Sequence, residues 1–319
     1  LRTGPVPLFL LSDLVRKNQF KVVLTGEGAD EVFGGYNIFK EAKVRQFWAR
    51  RPESRLRPLL LERLYPYIFN NQSRGRAFFQ RFYAAKPEDL DDPFFSHRIR
   101  WQNTGKNSLF FSENLLEVMS GYKPFDDIQP VLPEGFASRD VLSRAQFFEM
   151  EIFLSNYLLS SQGDRVAMAH SLEIRLPYLD HRVIDFAARL PAKWKINGLD
   201  EKYLLKRSFD GLIPDRIKSR PKQPYRAPIR EVFFGDHVDN RINYILSEGT
   251  LKKTGIFDVK KVRHLISKYQ NTGTAIDSEV QNMAVVGILS TQLIHDQFIE
   301  NFPWKAVEPI EPDKVVRRT

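Results

Sequence analysis

Lys21-Val22-Val23-Leu24-Thr25-Gly26-Glu27-Gly28-Ala29-Asp30-Glu31-Val32-Phe33-Gly34-Gly35-Tyr36 is the stretch on which the reading of this chain turns. Lys21 to Leu24 has the apolar, β-branched character of a buried parallel strand. The glycines that follow at once end it in a loop. Three carboxylates, Glu27, Asp30 and Glu31, sit in that loop between small residues, and helix-compatible sequence follows. Ligands of α/β sheets gather at the carboxyl ends of strands and at helix N-termini. Glycines let a phosphate approach the backbone, and carboxylates hold the magnesium that accompanies it. The competing reading is a tight turn with solvated acids, and Gly-Glu-Gly alone does not decide between the two.

Upstream, Pro5 to Lys17 has helical periodicity, with Leu8, Leu11, Leu14 and Val15 on one face. Helix then strand fits a crossover in a parallel sheet. No clear partner strand follows, so the remaining strands are expected before Leu1. Downstream, residues 37 to 120 are rich in Phe, Arg and Leu and read as helices broken at Pro52, Pro66, Pro87 and Pro93. Phe39, Phe47, Trp48, Phe69, Phe78, Phe79, Phe82, Phe94 and Phe95 read as core, and Arg45, Arg50, Arg51, Arg55 and Arg57 as a solvated helix face. Asp126 to Ser138 reads as a loop and Ala145 to Ser161 as a buried helix. From Ile229 on, helices are expected at about 229–234, 238–246, 259–269 and 276–298. Residues 303–319 form a polar, basic tail.

The 319 residues suffice for one large or two ordinary domains. Without cysteine the chain has no disulfide, thiolate metal site or cysteine nucleophile of its own. No apolar run is long enough to span a bilayer, and a cytoplasmic location is expected. The net charge of +9 is spread along the chain. It suits a polyanionic small substrate, and no second signal points to nucleic acid.

Two further blocks join the first. Asp164-Arg165-Val166-Ala167-Met168-Ala169-His170-Ser171-Leu172-Glu173-Ile174-Arg175-Leu176-Pro177-Tyr178-Leu179-Asp180-His181-Arg182 is a charged, small-residue segment that apolar packing alone would not select. Asp180 reads as the N-cap of a helix from about His181 to Leu190. His170 and His181 lack a second ligand at metal spacing. Glu201-Lys202-Tyr203-Leu204-Leu205-Lys206 opens a helix that Asp200 can cap. It places Lys202 in the first turn, where a cation opposes the helix dipole unless an anionic ligand lies near; a plain surface lysine is the alternative. In order and spacing the three blocks resemble the (S/T)-G-(E/D)-G-x-D-E, D-R-x-(S/A)-M-x-x-S-x-E-x-R-x-P-(F/Y)-L-D and E-K-x-x-L-(R/K) segments of the asparagine synthetase (glutamine-hydrolysing) family. They cover roughly residues 5 to 230. Arg220-Pro221-Lys222-Gln223 resembles that family's R-x-K-Q, implying a loop that orders over ATP or pyrophosphate; a generic solvated loop is the alternative.

The resemblance implies the C-terminal, ATP-dependent synthetase domain of that family. Its fold is α/β, of the ATP-pyrophosphatase (adenine nucleotide α-hydrolase-like) type, here expected to be truncated at the N-terminus and so mostly α-helical. Residues 1–302 would be that domain, with a helical insertion at about 37–140. The implied chemistry is adenylation of the aspartate side chain by ATP, then attack of ammonia on β-aspartyl-AMP. Carried over by position, Thr25, Gly26, Glu27, Gly28 and Lys222 bind ATP or pyrophosphate. Glu27 and Lys202 are catalytic, and Asp30 holds Mg2+. Asp164, Arg165, Glu173 and Arg175 line the aspartate pocket, although Glu173 and Arg175 could simply pair with each other. The partners implied are aspartate, ATP and ammonia from glutamine, with no nucleic acid or membrane, and a homodimer is left open. The family's S-G-G-x-D-S loop and the glutaminase cysteine are absent from this sequence. The expectation is therefore a fragment that is inactive alone. Two other readings stand beside this one: a β-lactam synthetase-like, cyclase or surface-polymer and natural-product amidotransferase acting on another carboxylate, and a non-catalytic helical binding module.

Overall fold

Pro5 at the first position and Arg16 and Lys17 in the last turn favour a helix between them, and helix α1 spans Pro5–Lys17 in the computed structural model. The structure describes residues 3–65, 73–220, 222, 227–235, 238–271 and 279–302. Two units divide the chain: Arg2–Lys106 with Gly121–Ala227, and Asn107–Ser120 with Pro228–Thr319.

In the larger unit α1 leads to strand β1, Val22–Leu24. Contrary to the sequence expectation, β1 has a downstream partner: β2, Glu173–Arg175, pairs with it in parallel, in the register Val22↔Glu173, Val23↔Ile174 and Leu24↔Arg175. The sequence hides β2 because it is three residues long and two of them are charged. Nor is β1 buried. Val23 is half-buried, but Val22 and Leu24 are 38% and 73% exposed. Parallel pairing brings the carboxyl ends of both strands to one edge, where the Thr25 amide donates to the Arg175 carbonyl at 3.0 Å. Among the described residues these two strands are the only sheet, and the rest of the architecture is helical.

The loop after β1 enters helix α2, Ala29–Phe33, between two left-handed glycines, Gly28 (φ 86°) and Gly34 (φ 75°). Helix α3, Asn37–Ala49, follows and is buried along much of its length. It packs on α4, Val141–Phe148, whose N-cap Asp140 accepts from the Leu142 and Ser143 amides. From Glu149 to Asp164 the winding widens to π type, a form that recurs at functional sites. Helix α5, Arg165–Met168, ends that segment. Phe39, Trp48, Phe94 and Phe95 are core, as expected, together with Phe136 and Phe148. Phe47 stays 43% exposed under the Arg57 guanidinium. Arg45 departs from its expected solvated face. It is 3% exposed, donates to the Tyr83 and Phe95 carbonyls, and lies 4.2 Å from the Phe95 ring centroid. A guanidinium satisfied by carbonyls and an aromatic face can be buried without a carboxylate. The expected loop at 126–138 contains the end of a helix, Pro124–Ile128, and two 3₁₀ turns. Pro66, Phe69 and the Phe78 side chain lie outside the described residues.

The smaller unit is mainly helical, with helices Glu113–Val118, Ile229–Phe234, Asn240–Ile245, Glu248–Thr254, Val259–Gln270 and Glu279–His295 and an isolated bridge between Phe111 and Phe257. Glu248–Thr254, capped by Ser247, is the one of these after Ile229 that periodicity did not foresee. The tail after Phe302 lies outside the described residues. Among the described residues no helix is long and apolar enough to cross a membrane.

Candidate functional site

The strand edge holds a cavity of about 240 Å³. Its apolar wall comes from α1 (Leu8, Leu11, Val15), the two strands (Val23, Ile174) and the π-wound segment (Leu159). Ser12, Thr25, Glu27, Gln162 and Asp164 are its polar lining, so the first two sequence blocks meet at one space. The Thr25 hydroxyl is buried without a hydrogen-bond partner among the described residues. A Cβ built on Gly26 would meet no atom within 4 Å. A glycine with empty space before it and an unused hydroxyl beside it are what a ligand approaching the backbone requires. Gly28 has a different reason: at φ 86° its missing side chain leaves room for Leu179, which comes from the loop after β2.

Beside the cavity lies a cluster of charges. The Asp30 carboxylate is flanked by two cations, Lys202 Nζ 2.9 Å from Oδ1 and Lys222 Nζ 2.9 Å from Oδ2. The Lys222 contact is a hydrogen bond, whereas Oδ1 has an ion pair to Lys202 but no hydrogen bond among the described residues. Gly35 makes this possible, since a Cβ there would collide with the Asp30 carboxylate and with Lys202 Cε. Lys202 is itself unusual. The third block was expected to form a helix from Glu201 with Asp200 as its cap. The helix, α7 in the count that gives α6 to His181–Ala188, runs Tyr203–Ser208 instead, and Lys202 precedes it at φ 51°. Mutual backbone bonds between Asn197 and Asp200 close a turn, and the Asp200 side chain pairs with Lys206 at 2.6 Å rather than capping. A left-handed lysine costs roughly 1–2 kcal/mol, and such strain is typical of functional positions. Glu201, buried, bonds Lys40 at 2.9 Å. Burial would raise its carboxyl, but Lys40 and then Lys206 hold it below the ordinary range.

Burial raises the Glu27 carboxyl; the Lys222 charge opposes the shift and Asp30 adds to it. Arg165 opens α5 next to Asp164. Glu173 and Arg175 pair with each other, Nε to Oε1 at 2.6 Å, both more than half exposed on β2. Their mutual pairing was one of the two expectations for these residues. Asp180 caps His181–Ala188, as expected, by accepting from the Arg182 amide. Among the described residues no three His, Asp or Glu side chains form a metal cluster.

Of three buried groups beneath the site, sequence reasoning named only Glu31, and only as a loop carboxylate. Glu31, 1% exposed, accepts from the Tyr36 hydroxyl at 2.5 Å, and burial raises its carboxyl to about 7. Gln146 donates to the Glu31 and Val32 carbonyls at 2.6 and 2.9 Å, closing the C-terminal end of α2. The buried Lys195 ammonium donates to Gln146 Oε1 at 2.8 Å. Glu31 and Tyr36 were in plain view in the first block. Gln146 and Lys195 have no local signal, since only tertiary packing brings them to α2.

With this geometry in hand, comparison with known proteins is informative. A family profile described as asparagine synthase matches residues 1–296. A protein of Mycobacterium tuberculosis provisionally named asparagine synthetase (glutamine-hydrolysing) is 34% identical over 233 residues, 70% of this chain and 32% of its own. Asparagine synthetase (glutamine-hydrolysing) 1 of Bacillus subtilis is 28% identical over 70% of this chain and 33% of its own. Amidase chry2 of Gibberella zeae is 24% identical over 78% of this chain and 38% of its own. The chain thus spans about a third of the length of the curated relatives it matches.

Proposed function

This chain belongs to the asparagine synthase family, and we propose from that membership that its strand-edge cavity is the ATP-handling part of an amide-forming ligase. The observation that carries the reading is the meeting of Thr25, Glu27 and Asp164 on one cavity, beside the Asp30–Lys202–Lys222 cluster. The proposed reaction is adenylation of the aspartate side chain, with pyrophosphate leaving, then displacement of AMP by ammonia. Thr25 and the open backbone at Gly26 hold the nucleotide. Lys202 and Lys222 leave Asp30 for the phosphates and neutralise charge on the transferring and leaving groups. Glu27, a carboxyl held up by burial, stands at the cavity as the acid tied to forming the acyl-adenylate. Asp164 and Arg165 form the acceptor side. Magnesium bound with pyrophosphate would take a protein oxygen from Asp30, whose Oδ1 lacks a hydrogen bond among the described residues, and would supply charge neutralisation. The ATP-pyrophosphatase architecture is part of this proposal, as are Mg2+, a cytoplasmic site of action and glutamine as the source of ammonia.

Because the chain holds no cysteine and no S-G-G-x-D-S run, we expect it to hydrolyse no glutamine and to release little AMP by itself. In a polypeptide that also carries that loop, AMP release should depend on aspartate. Lys202→Ala should lower it by roughly 10²-fold or more, the scale of removing a transition-state charge partner. Robust asparagine formation by this chain alone would overturn the expected inactivity, and full AMP release by the Lys202→Ala protein would remove Lys202 from the catalytic machinery.

The amidase relative favours a second reading. Amidase chry2 aligns over 78% of this chain, against 70% for the two asparagine synthetases above. Adenylation of a carboxylate other than aspartate would show as AMP release that aspartate does not stimulate and another acid does.

A further inference from the structure

Beneath the charge cluster, Tyr36 touches it from one side and the buried interior from the other. Its hydroxyl donates to Glu31 Oε1 at 2.5 Å, and Lys222 Nζ stands 5.4 Å from its ring centroid. The same ammonium bonds Asp30 Oδ2 at 2.9 Å. Asp30 and Glu31 lie on α2 and Tyr36 precedes α3, so the short stretch between Gly28 and α3 provides both the anion and the aromatic face that hold Lys222. Burial and then the Glu31 charge keep the phenol protonated well beyond working pH, so it acts as a donor throughout.

We infer that Glu31 and Tyr36 are positioning residues for Lys222: the buried carboxyl fixes the phenol, and the ring seats the ammonium over the strand-edge loop. A lysine on a long flexible stem, in a proline-rich segment, has many rotamers to lose. A carboxylate on one side and a ring face on the other define a place for it before any phosphate arrives. The groups facing this pair are Asp30 and Glu27 from the same loop and Glu149 from the π-wound segment. Gln146, carrying the Lys195 charge, meets the α2 backbone from below. No cation pairs directly with Glu31 among the described residues. The phenol is its described side-chain partner, beside a backbone hydrogen bond to the same carboxyl.

The inference rests on the proposed role of Lys222 as a phosphate-facing lysine, and the test separates the two. A polypeptide that carries this chain together with the S-G-G-x-D-S loop is titrated calorimetrically with inorganic pyrophosphate as wild type, K222A, Y36L and the double variant. K222A should bind about tenfold more weakly, on the scale of one charge-assisted contact. Y36L should lose about three- to tenfold, on the scale of a cation–π contact, and the double variant should bind no more weakly than K222A. That non-additivity is the signature of action through Lys222, which a general loss of structure would not produce. Losses that multiply, or Y36L binding like wild type, would overturn the inference while leaving Lys222 in place. Wild-type affinity in K222A, or no pyrophosphate binding by the wild type, would overturn the role of Lys222 itself. Should Y36L fail to fold, Y36F keeps the ring and removes the bond to Glu31. It should lose about two- to threefold alone and nothing in the K222A background, and any additive loss counts against the inference.

Discussion

Helix α3 and the loop that precedes it lie side by side in sequence and treat charge in opposite ways. On α3, Lys40, Glu41 and Arg45 are each less than 7% exposed, yet each has a fixed partner. Lys40 meets Glu201, Glu41 meets Arg100, and Arg45 meets two carbonyls. In the loop, Asp30 shares two lysines on long stems, one of them strained, and the Thr25 hydroxyl has no hydrogen-bond partner among the described residues. Matched, buried charges hold a helix in place. Excess cations around one carboxylate, beside an unused hydroxyl, form a surface that a polyanion can take over. The number of charges does not separate the two regions; how completely they are satisfied does.

The comparison breaks most severely on the α3 side. Arg100→Ala removes the cation that bonds Glu41 and leaves a carboxylate only 1% exposed without its charge partner. A loss of about 3–5 kcal/mol is expected, read as a lower unfolding midpoint in denaturant. Glu41→Ala should cost less, because the freed guanidinium can reach solvent. If the two variants are equally stable, Glu41 is not the constrained member of the pair.

Glu31 sits at the border of the two regions and sharpens the contrast through pH. Its carboxyl titrates near 7 in the fold, against an ordinary value of 4.5. The folded protein therefore binds this proton more tightly than the unfolded chain does. The resulting stabilisation is full below about pH 4.5 and fades as pH rises through 7. Glu31→Gln keeps an acceptor for Tyr36 without the charge, so it should lack this loss. Its advantage over wild type should grow by roughly 2–3 kcal/mol between pH 5 and pH 8, measured by thermal unfolding at each pH. Parallel pH profiles would show that Glu31 is solvated in solution.

Much of this was legible in the sequence, because chemistry and turn geometry leave local marks. Pro5 and Arg16-Lys17 bracket α1, the glycines around α2 mark its two left-handed ends, and Asp180 caps the helix after it. Elements defined by their neighbours left none. β2 reads as Glu-Ile-Arg, a pair of charges, until β1 is alongside it. Arg45 reads as solvent-exposed until the Tyr83 and Phe95 carbonyls arrive from elsewhere. Lys202 was picked out for its chemistry, but its left-handed backbone follows from the Asn197–Asp200 turn, which periodicity does not report. The Lys195–Gln146 support is long-range in the same sense.

On the loop side, Gly35→Ala tests whether close packing defines the cluster. The added methyl would collide with the Asp30 carboxylate and Lys202 Cε. A loss of about 1–3 kcal/mol is expected, together with loss of whatever pyrophosphate binding the chain shows. An unchanged affinity would mean that the Asp30–Lys202 contact has no part in it.

The smallest effect isolates the strain at Lys202. Both Lys202→Gly and Lys202→Ala remove the partly exposed pair with Asp30, which contributes about 1 kcal/mol or less. They differ in backbone alone. At an ordinary helix start alanine would be the more stable, because glycine loses more chain entropy on folding. At φ 51° the order should reverse. Alanine meets the left-handed steric cost of roughly 1–2 kcal/mol and glycine does not, so after the entropy difference the glycine variant should be ahead by about 0.5–1 kcal/mol. Chemical denaturation of the two proteins side by side resolves that margin. A glycine variant more stable than alanine, and no more active, would show that the fold tolerates strain at this position to place an ammonium group. An alanine variant equal or superior would mean that Lys202 relaxes in solution, and the loop would then differ from α3 only in exposure.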